Sequence, residues 1–245
     1  GSEMCIRDRA YLAGTPSGTG VSINAGGDVT IFAEGTLEAT LIAGSVGAGG
    51  TAGVGASTTT FLHTDTVEAY VGEGATVTTA GAAGLSVRAA SSEDLITVGA
   101  AGAAAGTAAV VGTAVVNILD ETTRAYIAEG AQVTADNGVA AGQPDILVTA
   151  DDDTVIVPVA GSLAAAGTAA VGAGADVGVI TKRTTARIGH DVTAYAEGDI
   201  LVAADSSEDI TSVAAGISAA GTVGIVLDAS VHILDVRTLS LIHIS

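Results

Sequence analysis

A Gly-Thr step inside a segment of small residues recurs four times along this 245-residue chain. The threonines of the four copies are Thr51, Thr107, Thr168 and Thr222, so successive copies are nearly evenly spaced. A nearly fixed period of this length is typical of repeat architectures, because one unit cannot bury its own apolar face and must stack on its neighbours. The sequence therefore predicts about four stacked units of roughly 57 residues.

Each unit opens with a short stretch in which apolar and polar residues alternate. The four copies occupy positions 28–31, 84–87, 145–148 and 199–202, and copies of a second, closing stretch occupy 68–71 and 124–127. Alternation of period two, bounded by Gly and Asp, is typical of a half-buried β-strand. We expect Leu85, Val87 and Ala89 on one face of the strand and Ser86 and Arg88 on the other.

The predicted fold class is all-β, a stacked β-solenoid that resembles a β-helix. Its units run approximately over 28–83, 84–144, 145–198 and 199–238. If each unit forms two or three coils, the fragment is a rod on the order of 40–60 Å long. Polar, acidic segments at 91–94, 151–153 and 206–209 are expected at solvated corners between strands. Lys182-Arg183 and Gln143-Pro144 interrupt the repeat pattern, so the coil register is in doubt near them.

Composition constrains both the core and the partners. Hydrophobic residues make up 48% of the chain but aromatic residues only 2%, so Ala, Val and Ile must form a thin core in which backbones approach closely. The net charge is −19, with Lys182 as the single lysine. Nucleic acid and anionic membranes need Lys/Arg clusters, so neither is an expected partner. The expected partners are neighbouring repeats of the same parent chain and a host-cell surface or glycan.

The two chain ends resemble translated adapter DNA. The segment Met-Cys-Ile-Arg-Asp at positions 4–8 and the segment Leu-Ser-Leu-Ile-His-Ile at 239–244 match the two orientations of a transposon end used to prepare sequencing libraries. We expect 1–9 and 239–245 to be adapter-derived, and 10–238 to be a single repetitive fragment of a longer protein. The one Cys of the chain, Cys5, lies in the first of these segments, so 10–238 has no disulfide or thiol chemistry.

Three elements, in tandem and in this order, resemble the repeats of large filamentous adhesins. They are the Ser-Ser-Glu-Asp-Ile-Thr-Ser-Val segment at 206–213, the Gly/Ala-Gly-Thr segments, and the Thr-Thr-Arg-Ala-Tyr-Ile-Ala-Glu-Gly-Ala-Gln-Val-Thr-Ala segment at 122–135. The family comprises filamentous haemagglutinins and leukotoxin-like filamentous adhesins of Gram-negative bacteria. The resemblance implies a β-helical stalk, exported and displayed at the outer-membrane surface, that mediates or supports attachment. It offers no catalytic residues.

Candidate chemical sites are few. No nucleophile elbow or phosphate-binding loop is present, so we predict no enzymatic activity, no catalytic residue and no cofactor. His63, His190 and His232 lack metal-ligand spacing. His63 and His232 fall near equivalent positions of the repeat and are interpreted as a tolerated position at a strand end. No metal is predicted. The one weak candidate is a Ca²⁺ cluster formed by Asp151, Asp152 and Asp153. A solvated polar corner is the preferred interpretation, because the equivalent residues of other repeats are Ser-Ser-Glu-Asp.

Two alternatives remain open. A β-helical glycan-active enzyme would need two carboxylates within about 10 Å of each other in a groove. Membrane-inserting Gly/Ala-rich segments are the second alternative, because the uncharged stretch 97–119 is long enough to span a bilayer and contains the Gly102-to-Gly106 GxxxG pattern. Weak insertion of Ala, Gly and Thr, and the lack of an aromatic belt, count against it.

Overall fold

A computed structural model describes residues 2–14, 20–138 and 142–243 of the chain, and all of its regular structure over these residues is β. The strands are β1 (Ser2–Leu12), β2 (Ser22–Ala25), β3 (Val29–Gly49), β4 (Ala52–Val71), β5 (Thr76–Thr79), β6 (Gly84–Ala105), β7 (Ala108–Ile127), β8 (Gln132–Ala135), β9 (Asp145–Ala166), β10 (Ala169–Ile188), β11 (Thr193–Ala196), β12 (Ile200–Ile210), β13 (Val213–Ala220) and β14 (Val223–Ile242). The all-β prediction is confirmed.

The strands form three parallel sheets. Long sheet 1 has the order β1-β4-β7-β10-β14, and long sheet 2 has the order β12-β9-β6-β3, with β13 also paired to β9. The short sheet has the order β11-β8-β5-β2. The chain visits long sheet 2, long sheet 1 and the short sheet in turn, and we call one such passage a circuit. Circuit 1 is β3–β5, circuit 2 is β6–β8 and circuit 3 is β9–β11. Circuit 4 is β12–β14, and its strands lie in the two long sheets only.

Neighbouring strands pair at the repeat period seen in the sequence. In long sheet 1, Ala108 pairs with Ala52 on one side and with Ala169 on the other, and Ala169 pairs with Val223. Each of these four residues directly follows one of the four Gly-Thr threonines, so the strand offsets equal the threonine spacings. Each strand therefore pairs with its equivalent in the adjacent circuit, as stacking requires.

The Gly-Thr steps are the tight turns between the two long sheets, and they stack on one another. The backbone N–H of Thr107 donates to the carbonyl oxygen of Thr51, that of Thr168 donates to Thr107, and that of Thr222 donates to Thr168, each at 3.1 Å. These bonds satisfy backbone groups that a single isolated turn would leave to water. The repeated sequence element is therefore a repeated structural element.

The expectation of two or three coils per unit is wrong, because each repeat crosses each long sheet only once. The strands β3, β4, β6, β7, β9 and β10 contain 20–22 residues each, several times the usual strand length. Two such strands take up most of one repeat unit. Five neighbouring strands extend about 20 Å along the stacking direction at the usual strand spacing, instead of 40–60 Å.

Alternation along the strands matches the predicted parity. Leu85, Val87 and Ala89 are fully buried, whereas Arg88 is exposed. These three residues belong to an apolar core enclosed by all three sheets. Their equivalents in circuit 3, which pair with them in register, are buried in the same core. The constant parity keeps one continuous apolar face across the circuits.

Beyond this three-sided core, the two long sheets face each other directly. A central layer of larger apolar residues consists of Leu37, Phe61, Leu95, Leu119, Ile156 and Ile180. Towards the Gly-Thr turns the layer thins to alanine and valine. There a Cβ atom added to Gly55 would collide with the carbonyl oxygen of Gly102 on the opposite sheet. The backbones thus approach as closely as the composition predicted.

The small-residue segments are strands and not helices. Residues 97–119 divide into the end of β6, the Gly106-Thr107 turn and the first part of β7. Within the described residues we find no helix with the length and hydropathy of a membrane span. Alternating burial along β6 and β7 explains the uncharged composition, because one face packs between the long sheets.

Two irregular points leave the register intact. β9 begins at Asp145, directly after Gln143 and Pro144, and pairs with Gly84 at the start of β6. Pro158 lies within β9 and has no N–H to donate to a sheet ladder. Opposite it, β12 ends at Ile210 and β13 begins at Val213. The missing donor accounts for that break.

Both adapter-like ends extend the pattern of long sheet 1. β1 pairs with β4 from Ser2 to Leu12, and 239–242 form the end of β14. Gly1, Ile244 and Ser245 lie outside the described residues. The assignment of these ends to adapter DNA stays a prediction, because strand pairing does not depend on the origin of a sequence.

Candidate functional site

The acidic segments predicted at solvated corners lie instead within the strands of long sheet 2. Residues 91–94 are in β6, 151–153 in β9 and 206–209 in β12, each paired with its equivalents in register. None of these segments contains Gly or Pro to turn the chain. Because the backbone is extended, every second side chain points into the space between the long sheets. The prediction of solvated corners is therefore wrong.

These inward-facing residues meet others from long sheet 1 and form what we call the polar column. It separates the three-sided core from the central apolar layer and runs along the stacking direction. Its members are His63 and Asp65 in circuit 1, Ser91, Glu93, Glu121 and Thr123 in circuit 2, Asp152, Thr154, Lys182 and Thr184 in circuit 3, and Ser206 and Glu208 in circuit 4.

Lys182 supplies the ammonium group of the polar column, and its side chain is fully buried. Its Nζ lies 2.6 Å from Asp152 Oδ1, 3.3 Å from Glu208 Oε1 and 3.7 Å from Glu121 Oε2. Nζ also donates to Thr154 Oγ1 at 2.7 Å. Burial opposes the charge, but these carboxylates outweigh it and raise the pKa of Lys182. A lysine interpreted as an interruption of the repeat is therefore the centre of an ion cluster.

Asp152 is the carboxylate of the polar column that lies nearest to the Lys182 ammonium group. Besides the ammonium group at Oδ1, its Oδ2 accepts hydrogen bonds from Thr123 Oγ1 at 3.2 Å and from Thr184 Oγ1 at 3.3 Å. Burial raises the pKa of Asp152, while Lys182 and the two hydroxyls act in the opposite direction. Both threonines belong to long sheet 1 and Asp152 belongs to long sheet 2, so the carboxylate connects the two long sheets.

Two glutamates of circuit 2 are less well compensated. Burial, together with the neighbouring Glu93 and Asp152 carboxylates, raises the pKa of Glu121 to about 9. Burial and the Asp152 carboxylate raise the pKa of Glu93 to about 7, although Ser91 and Thr154 donate to it. The column therefore favours protonated glutamates near neutral pH, because one ammonium group cannot balance all the buried carboxylates.

His63 and Asp65 form the circuit 1 end of the polar column. Both are nearly completely buried, and Ser91 Oγ lies 3.3 Å from Asp65 Oδ2. Burial lowers the pKa of His63 and raises that of Asp65. A backbone contact with Met4 acts to raise the pKa of His63 but does not satisfy hydrogen-bond geometry. Burial thus favours a neutral imidazole at a mid-strand position, where the sequence predicted a strand end.

The predicted Ca²⁺ candidates do not converge on one point. Asp152 faces the interior, whereas the adjacent Asp151 and Asp153 lie on the opposite face of β9. Asp151 Oδ2 accepts from Arg88 Nε at 3.2 Å, in a surface ion pair. Strand alternation is the reason, because neighbouring residues in sequence point to opposite sides of a sheet. The cation next to Asp152 is the Lys182 ammonium group.

His190 and His232 also lie next to carboxylates. His190 is exposed, with Nε2 2.8 Å from Glu129 Oε2 and Nδ1 2.9 Å from Asp191 Oδ2. His232, in circuit 4, has Nε2 3.2 Å from Oδ2 of the buried Asp176 in circuit 3. Ser212 and Ser230 donate to the same carboxylate oxygen. The serine hydroxyls are thus engaged by the aspartate, and this arrangement does not hold a serine free as a nucleophile.

The outer surface of long sheet 1 carries a ladder of stacked rings. The Tyr70 ring lies 5.0 Å from the Tyr11 ring and 4.7 Å from the Tyr126 ring, with interplanar angles of 7° and 3°. The Arg187 guanidinium covers the far face of this ladder, 5.0 Å from the Tyr126 ring. Equivalent positions of adjacent circuits therefore build the ladder, as cross-strand pairs do in sheets.

Open grooves near the Gly-Thr turns are lined by small residues. One is formed by alanines and glycines at 48–50, 104–105, 165–166 and 219–220. A second contains Asp228 among small and apolar residues, and a third contains no charged residue. Among the described residues, these grooves do not bring two carboxylates together. The clustered carboxylates of this chain lie between the sheets instead.

No protein-family model, curated protein or solved structure matches the chain.

Proposed function

We propose that the chain is a stacked β-solenoid of about four repeats and serves as a structural stalk segment of an exported adhesin. In this proposal it is displayed at the outer-membrane surface of a Gram-negative bacterium, where it mediates or supports attachment. The observation that carries the proposal is the in-register pairing of equivalent strands at the period of the Gly-Thr steps. The resemblance of the repeats to filamentous adhesins supports the adhesin part.

The geometry is suited to carrying load along the stacking direction. Hydrogen-bonded ladders connect circuits 1, 2 and 3 through three sheets and circuit 4 to circuit 3 through the two long sheets. The stacked turns from Thr51 to Thr222 add a further line of bonds. The polar column supplies ion pairs between circuits 2, 3 and 4 through Lys182. A repeated unit that contacts only its neighbours extends by adding circuits, which is the property that a stalk needs.

A glycan-active enzyme receives less support. Its two carboxylates must face a substrate in a groove, on opposite sides of the scissile bond. Glu93, Glu121 and Asp152 do cluster, but they are buried between the long sheets and Asp152 is bound to Lys182. Membrane insertion is also less well supported, because the small-residue segments pair as strands with alternating burial.

A display experiment tests the proposal. The chain is placed between a secretion signal and an outer-membrane anchor in a Gram-negative host, and intact cells are probed with an antibody and with external protease. We expect surface labelling and a protease-resistant band. The Val87→Asp variant, which puts a charge into the buried core, should lose that band, whereas Arg88→Asp on the exposed face should keep it. Retention inside the cell in folded form would contradict the proposal.

Attachment itself is tested with the purified chain. Binding to immobilised host glycans would support a direct adhesive role for this segment, and absence of binding would restrict it to support. The coding sequence on either side provides an independent test of display, because an upstream secretion signal and a downstream barrel or anchor are expected. Fusion to a cytoplasmic catalytic domain would contradict it.

A further inference from the structure

A buried histidine of circuit 1 lacks hydrogen-bond partners. His63 is 2% exposed, and neither of its ring nitrogens has a hydrogen-bond partner among the described residues. Equivalent positions in the next two circuits hold Leu119 and Ile180, which are apolar and buried. A polar ring with two unmet nitrogens costs free energy in an interior where an aliphatic side chain fits. We therefore expect the ring nitrogens of His63 to bind a group that the aliphatic side chains at the equivalent positions cannot bind.

Two carboxylates converge on this ring. A ring nitrogen of His63 and carboxylate oxygens of Asp65 and Glu93 lie within 4.8 Å of one another, and all three side chains are buried. Asp65 Oδ1 also lacks a hydrogen-bond partner. Ser91 Oγ lies 3.3 Å from Asp65 Oδ2 and 2.5 Å from Glu93 Oε1, but a hydroxyl has one hydrogen to donate. The cluster is therefore short of positive charge.

The ammonium group of Lys182 serves a different cluster. It contacts carboxylates of circuits 2, 3 and 4, with Asp152 nearest at 2.6 Å. Asp65 and His63, in circuit 1, are outside this ion cluster. Glu93 belongs to both groups, because it also clusters with Glu121 and Asp152 beside Lys182. Among the described residues, no ion pair joins Lys182 to His63 or Asp65.

The backbone leaves space beside Asp65. Gly35 occupies the position that Ser91 and Asp152 occupy in the next two circuits. A Cβ atom added to Gly35 would stand 2.9 Å from Asp65 Oδ2 and 2.7 Å from Val67 Cγ2. The glycine therefore lets the carboxylate turn towards His63 and Glu93 without a clash.

We propose that His63, Asp65 and Glu93 bind one divalent transition-metal ion between circuits 1 and 2, with Zn²⁺ as the representative ion. One imidazole and two carboxylates match the ligand preference of this class, whereas Ca²⁺ prefers oxygen ligands alone. Ligand atoms about 2.1 Å from a common ion are at most about 4.2 Å apart, so side-chain shifts of less than about 1 Å complete the site. The ion would link long sheet 1 to long sheet 2. This site does not depend on the proposed stalk function.

The unmodified chain provides the first measurement. After removal of bound metal with a chelator, the chain is titrated with Co²⁺ and followed by visible absorption, then back-titrated with Zn²⁺. We expect one equivalent of Co²⁺ with ligand-field bands, displaced by one equivalent of Zn²⁺, and a Zn²⁺-dependent rise in the unfolding temperature. No saturable binding at one equivalent would overturn the proposal, whatever the variants do.

Two variants locate the site. His63→Leu introduces the residue found at the equivalent position of circuit 2 and should keep the β circular-dichroism spectrum while losing at least about 100-fold in Zn²⁺ affinity. His190→Gln is the matched control, because exposed His190 lies next to Glu129 and Asp191 and is the obvious adventitious site. Full affinity in His63→Leu, loss in His190→Gln instead, or tighter binding of Ca²⁺ than of Zn²⁺ would overturn the proposal.

Discussion

Lys182 Nζ lies 2.6 Å from Asp152 Oδ1, and both side chains are completely shielded from water. The two residues come from opposite long sheets of the same circuit. A buried ion pair contributes little net stability over an apolar pair, but an unpaired buried charge is costly. The pair is therefore a point where single substitutions have large effects.

We predict that Lys182→Met lowers the free energy of unfolding by about 3–5 kcal/mol, because it leaves Asp152 and its neighbours without a cation. Chemical denaturation monitored by circular dichroism provides the measurement. Arg183→Met is the matched control: the next residue faces outwards, 3.6 Å from Asp120, and its removal should cost less than about 1 kcal/mol. Equal losses in the two variants would show that Lys182 has no special role.

Stability should fall as the pH rises, and Glu121 should be a main cause. Its pKa is 4.5 as an ordinary glutamate and about 9 in the folded chain. Between these values the unfolded chain releases a proton that the folded chain retains, so the folded state loses stability with rising pH. The contribution of this group is complete below pH 4.5 and is lost as the pH approaches 9.

Glu121→Gln removes that titration and keeps the shape of the side chain. We predict that the variant and the original chain have more similar stability at pH 5 than at pH 8.5, where the variant is the more stable. Unfolding free energies are measured at both pH values with a chelator present. The control is Asp120→Asn, an adjacent outward residue, which should leave the pH dependence unchanged. An unaltered pH dependence in Glu121→Gln would contradict the assignment.

Much of the fold was predictable because it depends on local alternation and on a repeat period. The repeated Gly-Thr steps at Thr51 and Thr107 correspond to turns that stack on each other. The alternation that places Leu85 and Val87 on one face corresponds to the buried face of the strand. Coil size was not predictable in the same way. The length of a strand depends on how far it packs against the opposite sheet. A run of small and β-branched residues is equally compatible with one long strand or with several short ones.

The polar column was missed for a different physical reason. Charged residues are rarely buried without partners, so a Ser-Ser-Glu-Asp segment is interpreted as a surface. Parity alone could have found it, since Ser91 and Glu93 continue the buried series that starts at Leu85. The repeat spacing gives one partner, because Lys182 pairs in register with Glu121 at the equivalent position of the preceding repeat. It does not give Asp152, which reaches Lys182 from the opposite long sheet.

The turn at His190 offers a second pH test on the surface. Hydrogen bonding to Asp191, with a further contribution from Glu129, raises the pKa of His190. We predict an NMR titration midpoint above 6.5 for this ring. Asp191→Asn should lower the midpoint, and Asn suits the backbone because Asp191 has φ of 55°. The stability that the charged ring brings is present below pH 6.5 and is lost as the pH rises through the folded pKa. A midpoint that does not move would contradict the pairing.

The thin region near the Gly-Thr turns depends on residues that have no side chain. A Cβ at Gly55 would collide with the Gly102 carbonyl oxygen, and backbone on both sides cannot give way as a flexible side chain would. A Cβ atom added to Gly112, in the adjacent strand, would have no atom within 4 Å. Both glycines lie in the middle of a strand, so the backbone entropy that each loses on folding is similar.

We predict that Gly55→Ala lowers the free energy of unfolding by about 1–3 kcal/mol, because the long sheets must separate locally. Gly112→Ala should be neutral or stabilising by up to about 1 kcal/mol, because it reduces the freedom of the unfolded chain without a clash. Thermal and chemical denaturation of the two variants side by side separates steric exclusion from backbone entropy. If both substitutions raise the free energy of unfolding, the backbones of the two long sheets are not in contact near the turns. That result would contradict the thin core.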